Sequence, residues 1–107
     1  MVRPTDPLAL LPPGDGTLGH VAIGDITLVT GVVIPAVTLA VQRWGRINDD
    51  RSNVVLVEHA LTGDSHVVGP VDSLHPTPGW WNGLVGPGLP LDTDRWCVVS
   101  VNVLGGC

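Results

Sequence analysis

The chain has 107 residues, enough for one modest domain with a limited apolar core. Hydrophobic residues make up 44% and charged residues only 14%, so the chain is more apolar than a free-standing domain of this size usually is. The net charge is −5 and the only cationic side chains besides histidine are five scattered arginines, which argues against binding of nucleic acid through a basic patch.

The remaining global features concern the cellular setting. The longest apolar runs have the length of strands rather than of membrane spans, and no apolar stretch follows the first arginine as it would in a secretory signal. The two cysteines, Cys97 and Cys107, form no C-x-x-C pair and no disulfide framework. The sequence therefore predicts a reduced, cytoplasmic setting with no membrane partner.

The first half of the chain predicts a lead-in and a set of hairpin-like strands. Residues 1–19 are rich in proline, glycine and small polar residues, so we expect a flexible lead-in, with the folded part over residues 20–107. A strand-like pattern over residues 20–28 contains a turn or bulge signal at Gly24. A short β-branched piece over residues 32–34 follows, which Pro35 places at an edge or at a strand start, and then a half-buried strand over residues 37–44.

The second half predicts two buried strands joined by a long crossover. Residues 54–57 and 97–103 are continuous apolar runs bounded by turn residues, a pattern typical of strands buried on both faces. Residues 62–95 between them are rich in glycine and proline and too numerous for an empty loop, so short helical turns are expected around residues 79–84. The order of elements predicts antiparallel edge strands leading into parallel strands, an α/β layout.

The loop after the first buried strand is the main candidate for chemistry. It reads His-Ala-Leu-Thr-Gly over residues 59–63. A strand that ends in a polar, glycine-containing loop presents rigidly aimed backbone N–H groups, which an oxyanion hole requires. A tight βα turn in which Thr62 or Asp64 caps the following segment explains the same residues, and the local sequence favours this plainer interpretation.

Other polar groups near this loop predict no site. Asp64, Ser65 and His66 contain the residue types of a catalytic triad, but consecutive residues cannot converge as a triad must, and the second glycine of a nucleophile elbow is missing. We expect a loop with local hydrogen bonds there. The spacing of His59, His66 and His75 matches no metal-ligand pattern, so no metal site is predicted.

Taken together, several of these segments resemble the homoserine O-acetyltransferases of the α/β-hydrolase fold. Two motifs are the most specific: His-Ala-Leu-Thr-Gly over residues 59–63 and Asn-Val-Leu-Gly-Gly-Cys over residues 102–107. The resemblance follows the family's order from about residue 20 onward and also includes Ala-Val-Gln-Arg-Trp-Gly (40–45), the strand before the first motif (54–58) and the residues after it (64–66), Pro-Gly-Trp-Trp (78–81), Gly-Pro-Gly (86–88) and Asp-Thr-Asp-Arg-Trp (92–96).

The resemblance implies a fold and an activity. Residues 20–107 would form the N-terminal part of an α/β-hydrolase sheet, in a cytoplasmic and homodimeric enzyme of methionine biosynthesis. Such an enzyme moves an acetyl group from the co-substrate acetyl-CoA to the hydroxyl of L-homoserine through an acyl-serine, with no bound cofactor. By the same match the backbone N–H of Leu61 is one oxyanion donor, and Thr62 and Asn102 line the substrate pocket.

The resemblance covers none of the family's triad, so we expect the 107-residue chain to be inactive by itself. Three alternatives stay open at this point. The donor or acceptor could differ, with succinyl-CoA or serine in the same fold. A hydrolase of the same fold is also compatible with the glycine- and proline-rich segment. The third alternative is a non-catalytic module that binds a partner through an exposed edge strand.

Overall fold

The computed structural model describes residues 7–106, which form a four-stranded sheet and a two-stranded ladder. A 3₁₀ turn over Pro7–Leu10 precedes six strands: β1 (Gly19–Thr27), β2 (Val33–Trp44), β3 (Val54–Val57), β4 (Val85–Gly86), β5 (Leu91–Asp92) and β6 (Cys97–Val101). The main sheet has the order β1–β2–β6–β3, in which β1–β2 and β2–β6 are antiparallel and β6–β3 is parallel. This arrangement confirms the prediction of antiparallel edge strands leading into parallel strands.

The long strand β2 corrects the sequence prediction of two separate pieces over residues 32–34 and 37–44. Pro35 does not break the strand because the ladder with β1 skips a register step there. Ala36 takes a φ of 50°, and its N–H donates to the Asp25 carboxylate at 2.8 Å instead of to the ladder. A bulge of this kind leaves the missing N–H of proline without consequence for the sheet.

The two strands predicted to be buried on both faces differ in the structure. In β6, Cys97, Val98 and Ser100 are each 0% exposed, which confirms the prediction for that strand. In β3 the prediction is wrong, since Val54 is 43% and Leu56 is 60% exposed. The difference follows from position, because β6 lies between β2 and β3, whereas β3 is the last strand of the sheet over the described residues.

The long connection between β3 and β6 covers one face of the sheet and completes the main apolar cluster. It contains no α-helix, yet its Val67 is 0% exposed. The predicted turns around residues 79–84 are present, since the Trp81 carbonyl accepts the N–H groups of Leu84 at 3.0 Å and Val85 at 3.3 Å. The buried cluster consists of Trp44, Val57, Val67, Val85 and Val98.

The described part of the predicted lead-in lies against β2. Leu11 packs on a second buried cluster, which consists of Val41, Cys97 and Val99. The Pro12 carbonyl accepts a hydrogen bond from the Arg43 guanidinium at 2.9 Å. The Gly14 carbonyl accepts the Gly45 N–H at 2.9 Å. Residues 1–6 lie outside the described part of the chain. Strand β1 begins at Gly19, and the division of the chain into a lead-in and a folded part stays a prediction.

Truncation of a core side chain in β6 tests the packing of the main cluster. We expect Val98→Ala to lower the free energy of unfolding by about 2 kcal/mol, because Val98 is fully buried and its loss leaves a cavity. Urea unfolding followed by tryptophan emission measures the change, since Trp44 belongs to the same cluster. Val29→Ala is the matched control, as the Val29 side chain is fully exposed. Equal losses for the two variants would contradict the assigned core.

Candidate active-site cleft

A cleft of about 580 Å³ opens where β3 and β6 end. The carboxyl ends of neighbouring parallel strands meet at one edge of the sheet, and ligands of open α/β sheets bind outside this edge. The residues after the two strands form its opposite walls. The lining consists of His59, Leu61, Thr62, Gly63, Asp64, Pro76, Thr77, Val103, Leu104, Gly105 and Gly106.

The wall after β3 is a tight turn. The Gly63 N–H donates to the Ala60 carbonyl at 2.8 Å, which closes a four-residue turn with Leu61 and Thr62 at its centre. Within residues 7–106 the Leu61 N–H donates to no protein acceptor, and its side chain is fully exposed. The structure thus brings Leu61 and Thr62 together in the cleft, with a backbone donor left available.

His59 connects the two walls of the cleft. Its Nε2 lies 3.2 Å from the Val103 backbone nitrogen, and its Nδ1 lies 2.7 Å from the Ala60 carbonyl oxygen. Because a backbone N–H can only donate, Nε2 accepts and the ring proton is on Nδ1, which donates to Ala60. The neutral imidazole therefore links the end of β6 to the same carbonyl that closes the turn.

Asn102 connects the end of β6 to the segment that follows the turn. Its side-chain carbonyl accepts the Ser65 N–H at 2.5 Å, and its backbone N–H donates to Ala40 at 2.9 Å. It borders two smaller cavities beside the cleft, of about 430 and 230 Å³. Asn102 thus holds the segment that follows the turn, and a substrate contact by this residue stays a prediction.

Asp64, Ser65 and His66 do not assemble a triad. Asp64 accepts the His66 backbone N–H at 2.9 Å, the local hydrogen bond that was expected. The side chains of Ser65 and His66 instead both reach Gln42 in β2, at 2.9 and 3.2 Å. Sequence reasoning did not single out Gln42. The available signal was an amide within a mostly apolar strand, where a buried polar group requires partners.

The histidines of the crossover form a stacked pair rather than a metal site. The rings of His66 and His75 are parallel, with their centroids 3.7 Å apart. His75 Nδ1 lies 3.0 Å from an Asp72 carboxylate oxygen, and this hydrogen bond, followed by that from the Leu74 N–H, lowers the pKa of Asp72. Across residues 7–106 no three side chains of metal-ligating type converge.

The cysteine within β6 has the properties of a structural thiol. Burial raises the pKa of Cys97, and a hydrogen bond from Arg43 only partly opposes that change. A thiol with a raised pKa is mostly protonated near neutral pH and is a weak nucleophile. Cys107 lies outside the described residues.

Comparison with known proteins shows which enzymes this chain is similar to. No family model matches the chain. Over 98 residues the sequence is 68% identical to a homoserine O-acetyltransferase of Nocardia farcinica, a match that covers 92% of this chain and 26% of that relative. The chain is therefore similar to homoserine O-acetyltransferases over most of its own length. It spans about a quarter of the length of the curated relatives it matches.

Solved structures of this family and of an esterase share the sheet. The crystal structure of esterase E22 superposes with a TM-score of 0.74 at 36% identity, covering 84% of this chain and 24% of that one. The homoserine O-acetyltransferase from Bacillus anthracis superposes with a TM-score of 0.70 at 31% identity, covering 80% and 23%. The described sheet is the N-terminal part of an α/β-hydrolase sheet, as the resemblance implied. No helix within residues 7–106 is long and apolar enough to cross a membrane.

Proposed function

We propose that this chain forms the oxyanion-binding part of an acetyl-CoA-dependent homoserine O-acetyltransferase. The observation that carries the proposal is the turn at the end of β3, in which Leu61 lines the cleft and its N–H has no acceptor within residues 7–106. Preorganised backbone donors at such a position stabilise the negative charge that develops on a carbonyl oxygen during acyl transfer.

The proposed reaction has two half-reactions. A serine supplied by the remainder of the enzyme attacks the thioester carbon of acetyl-CoA, and the carbonyl oxygen becomes an oxyanion. The C–S bond then breaks, the proton of the serine hydroxyl passes to the leaving sulfur, and coenzyme A leaves as the thiol. The hydroxyl of L-homoserine then attacks the acyl-serine and regenerates the serine hydroxyl. In both steps the Leu61 N–H donates to the oxyanion. Thr62 lines the same cleft and is a candidate substrate contact, and Asn102, which borders the two adjoining cavities, is a second candidate.

The proposal extends to the setting of the enzyme. We place it in the cytoplasm, in methionine biosynthesis, as a homodimer with acetyl-CoA as a diffusing co-substrate and no resident cofactor. Support comes from the family to which the curated relatives belong and from the absence of a disulfide framework in the sequence.

A second candidate function is hydrolysis of acetyl esters. It is favoured by the structural similarity to esterase E22, whose TM-score is no lower than that of the acetyltransferase structure. The same oxyanion site would serve both reactions, because both pass through a tetrahedral oxyanion. They differ in the acyl donor, an ester or the thioester of acetyl-CoA, and in whether water or an amino-acid hydroxyl accepts the acyl group. Succinyl-CoA as donor and serine as acceptor are variants of the transfer reaction.

A chimeric enzyme tests the proposal. Residues 1–107 would replace the matching segment of the Nocardia farcinica enzyme, with that enzyme unaltered as the control. We expect release of coenzyme A from acetyl-CoA that depends on homoserine and yields O-acetylhomoserine. Hydrolysis of 4-nitrophenyl acetate without homoserine-dependent transfer would favour the esterase. A preference for succinyl-CoA or serine would change the substrate assignment, and a folded chimera without any acyl transfer would overturn the proposal.

The unmodified chain should show no turnover in the same assay. Within the described residues the only adjacent serine and histidine, Ser65 and His66, are both engaged by Gln42. Adding purified chain at up to a hundred times the chimera's concentration should leave the rate of coenzyme A release at background. Homoserine-dependent turnover by the chain would mean that a nucleophile lies within these residues.

A further inference from the structure

The turn over residues 60–63 is called the oxyanion turn below. Gln42 lies beneath the segment that follows this turn and is 1% exposed. Its side-chain carbonyl accepts the Ser65 hydroxyl at 2.9 Å. Its NH₂ group lies 2.8 Å from the Gly16 carbonyl oxygen and 3.2 Å from His66 Nδ1. Both N–H bonds of this amide and one of the two lone pairs on its carbonyl oxygen therefore have partners. A polar group buried this deeply requires such partners.

The partners leave the amide only one orientation. The Gly16 carbonyl can only accept, so the NH₂ group must face it, and the second hydrogen of that group points at His66 Nδ1. Nδ1 is then an acceptor and the ring proton is on Nε2, which donates to the Pro70 carbonyl at 3.0 Å. The network thus sets the tautomer of His66 as well as the direction of the Ser65 hydroxyl.

Ser65 receives support from two neighbouring strands. Its hydroxyl binds Gln42 in β2, and its N–H binds the Asn102 side chain just after β6. Gln42 pairs with Ser100 in the ladder between β2 and β6, and Asn102 lies two residues after Ser100. The two side chains that bind Ser65 therefore come from the same part of the sheet. Ser65 is 2% exposed and lies two residues after Gly63, the residue whose N–H closes the turn. The C-terminal end of the turn is consequently attached to the sheet through Ser65.

We propose that Gln42 is a positioning residue for the oxyanion turn. It touches no reacting atom and acts through Ser65 and His66, which fix the segment from which the Leu61 N–H is aimed at the cleft. The inference rests on the proposed acyl-transfer function. A displacement of about 1 Å at a group that positions substrate can cost about 100-fold in rate, so a support of this kind is expected to affect the chemical step.

The test compares two amide variants in the chimera. Gln42→Leu removes all three hydrogen bonds and should lower kcat about 10- to 100-fold, with KM for acetyl-CoA and homoserine changed less than about twofold. Asn53→Leu is the matched control. Asn53 also makes three side-chain hydrogen bonds, to Asn48, Arg46 and Arg95, but at the opposite end of β3. This variant should lose stability to a similar degree and keep its kcat.

Two further readouts separate positioning from general destabilisation. If Gln42 acts through the Ser65 hydroxyl, the double variant Gln42→Leu/Ser65→Ala should have the same kcat as Gln42→Leu, because the second substitution removes a partner that is already lost. Hydrogen–deuterium exchange should show faster exchange of the hydrogen-bonded Gly63 and Ser65 amides in Gln42→Leu and not in Asn53→Leu.

These experiments separate an incorrect positioning role for Gln42 from an incorrect proposed function. An active chimera in which Gln42→Leu and Asn53→Leu affect kcat equally, or in which the two substitutions of the double variant multiply, would overturn the positioning role and leave the acyltransferase assignment intact. An inactive but folded parent chimera would overturn the proposed function. In that case unchanged exchange of the Gly63 and Ser65 amides in Gln42→Leu would also overturn the structural part of this inference.

Discussion

Replacing Leu61 by proline in the chimera is expected to lower kcat about 10²- to 10³-fold, the cost of removing one oxyanion donor. Proline lacks the backbone N–H, and Leu61 is the second residue of the turn closed between Ala60 and Gly63, a position that accommodates proline well. The substitution therefore removes the donor while keeping the turn. Because the Leu61 side chain is fully exposed, little packing is lost.

Leu61→Ala isolates the contribution of the N–H. It removes the same side chain but retains the donor, so the ratio of kcat between the alanine and proline variants measures the oxyanion interaction. KM for homoserine should change little in either variant, since the interaction strengthens mainly in the transition state. Similar kcat values for the two variants, with the proline variant folded, would rule out the Leu61 N–H as a donor.

Replacing Gly45 by alanine is expected to lower the free energy of unfolding by about 3 kcal/mol or more. Gly45 follows β2 with a φ of 91°, and a Cβ added there would collide with the Trp96 carbonyl oxygen and lie 2.8 Å from that of Thr93. Both obstacles are backbone atoms at the entrance to β6, so relief requires movement of the sheet rather than of a flexible side chain. Urea unfolding of the chimera, followed by tryptophan emission, measures the loss.

Gly31→Ala separates the conformational cost from the steric cost. Gly31 has a similar φ of 86° in the turn between β1 and β2, but no atom lies within 4 Å of the position that an added Cβ would occupy. We expect a loss of roughly 1 kcal/mol from the left-handed backbone by itself. If both variants lost the same amount, the close approach of Gly45 to the residue 93–97 segment would not contribute to stability.

The strand pattern could be predicted because it depends on residues that are near one another in the chain. The apolar run of β6 and the glycine and proline signals around β1 and β2 placed these strands to within a few residues. Pro35 was misread because a bulge with Asp25 on the partner strand decides whether proline interrupts a ladder. The burial of β3 was misread because an apolar run does not say which neighbours cover it.

The candidate site was found only in part for the same reason. The loop over residues 59–63 has a local signature, a strand followed by a glycine turn, and the structure places Leu61 and Thr62 in one cleft. Gln42 and its hydrogen bond to Ser65 have no such signature, because the two residues are 23 positions apart and meet only when the crossover folds onto β2. The stacking of His66 on His75 depends on the same packing.

Local sequence was thus sufficient for the approximate positions of β1, β2, β3 and β6 and for the turn at Gly63, since hydrophobic periodicity and glycine placement act over a few residues. The motifs over residues 59–63 and 102–107 were sufficient for the resemblance to the acetyltransferases. Tertiary packing decided the burial of each sheet face, the tautomers of His59 and His66, and the attachment of the oxyanion turn through Ser65. These features require groups from separate strands to meet within hydrogen-bond distance, and the register of β2, β6 and β3 sets those distances.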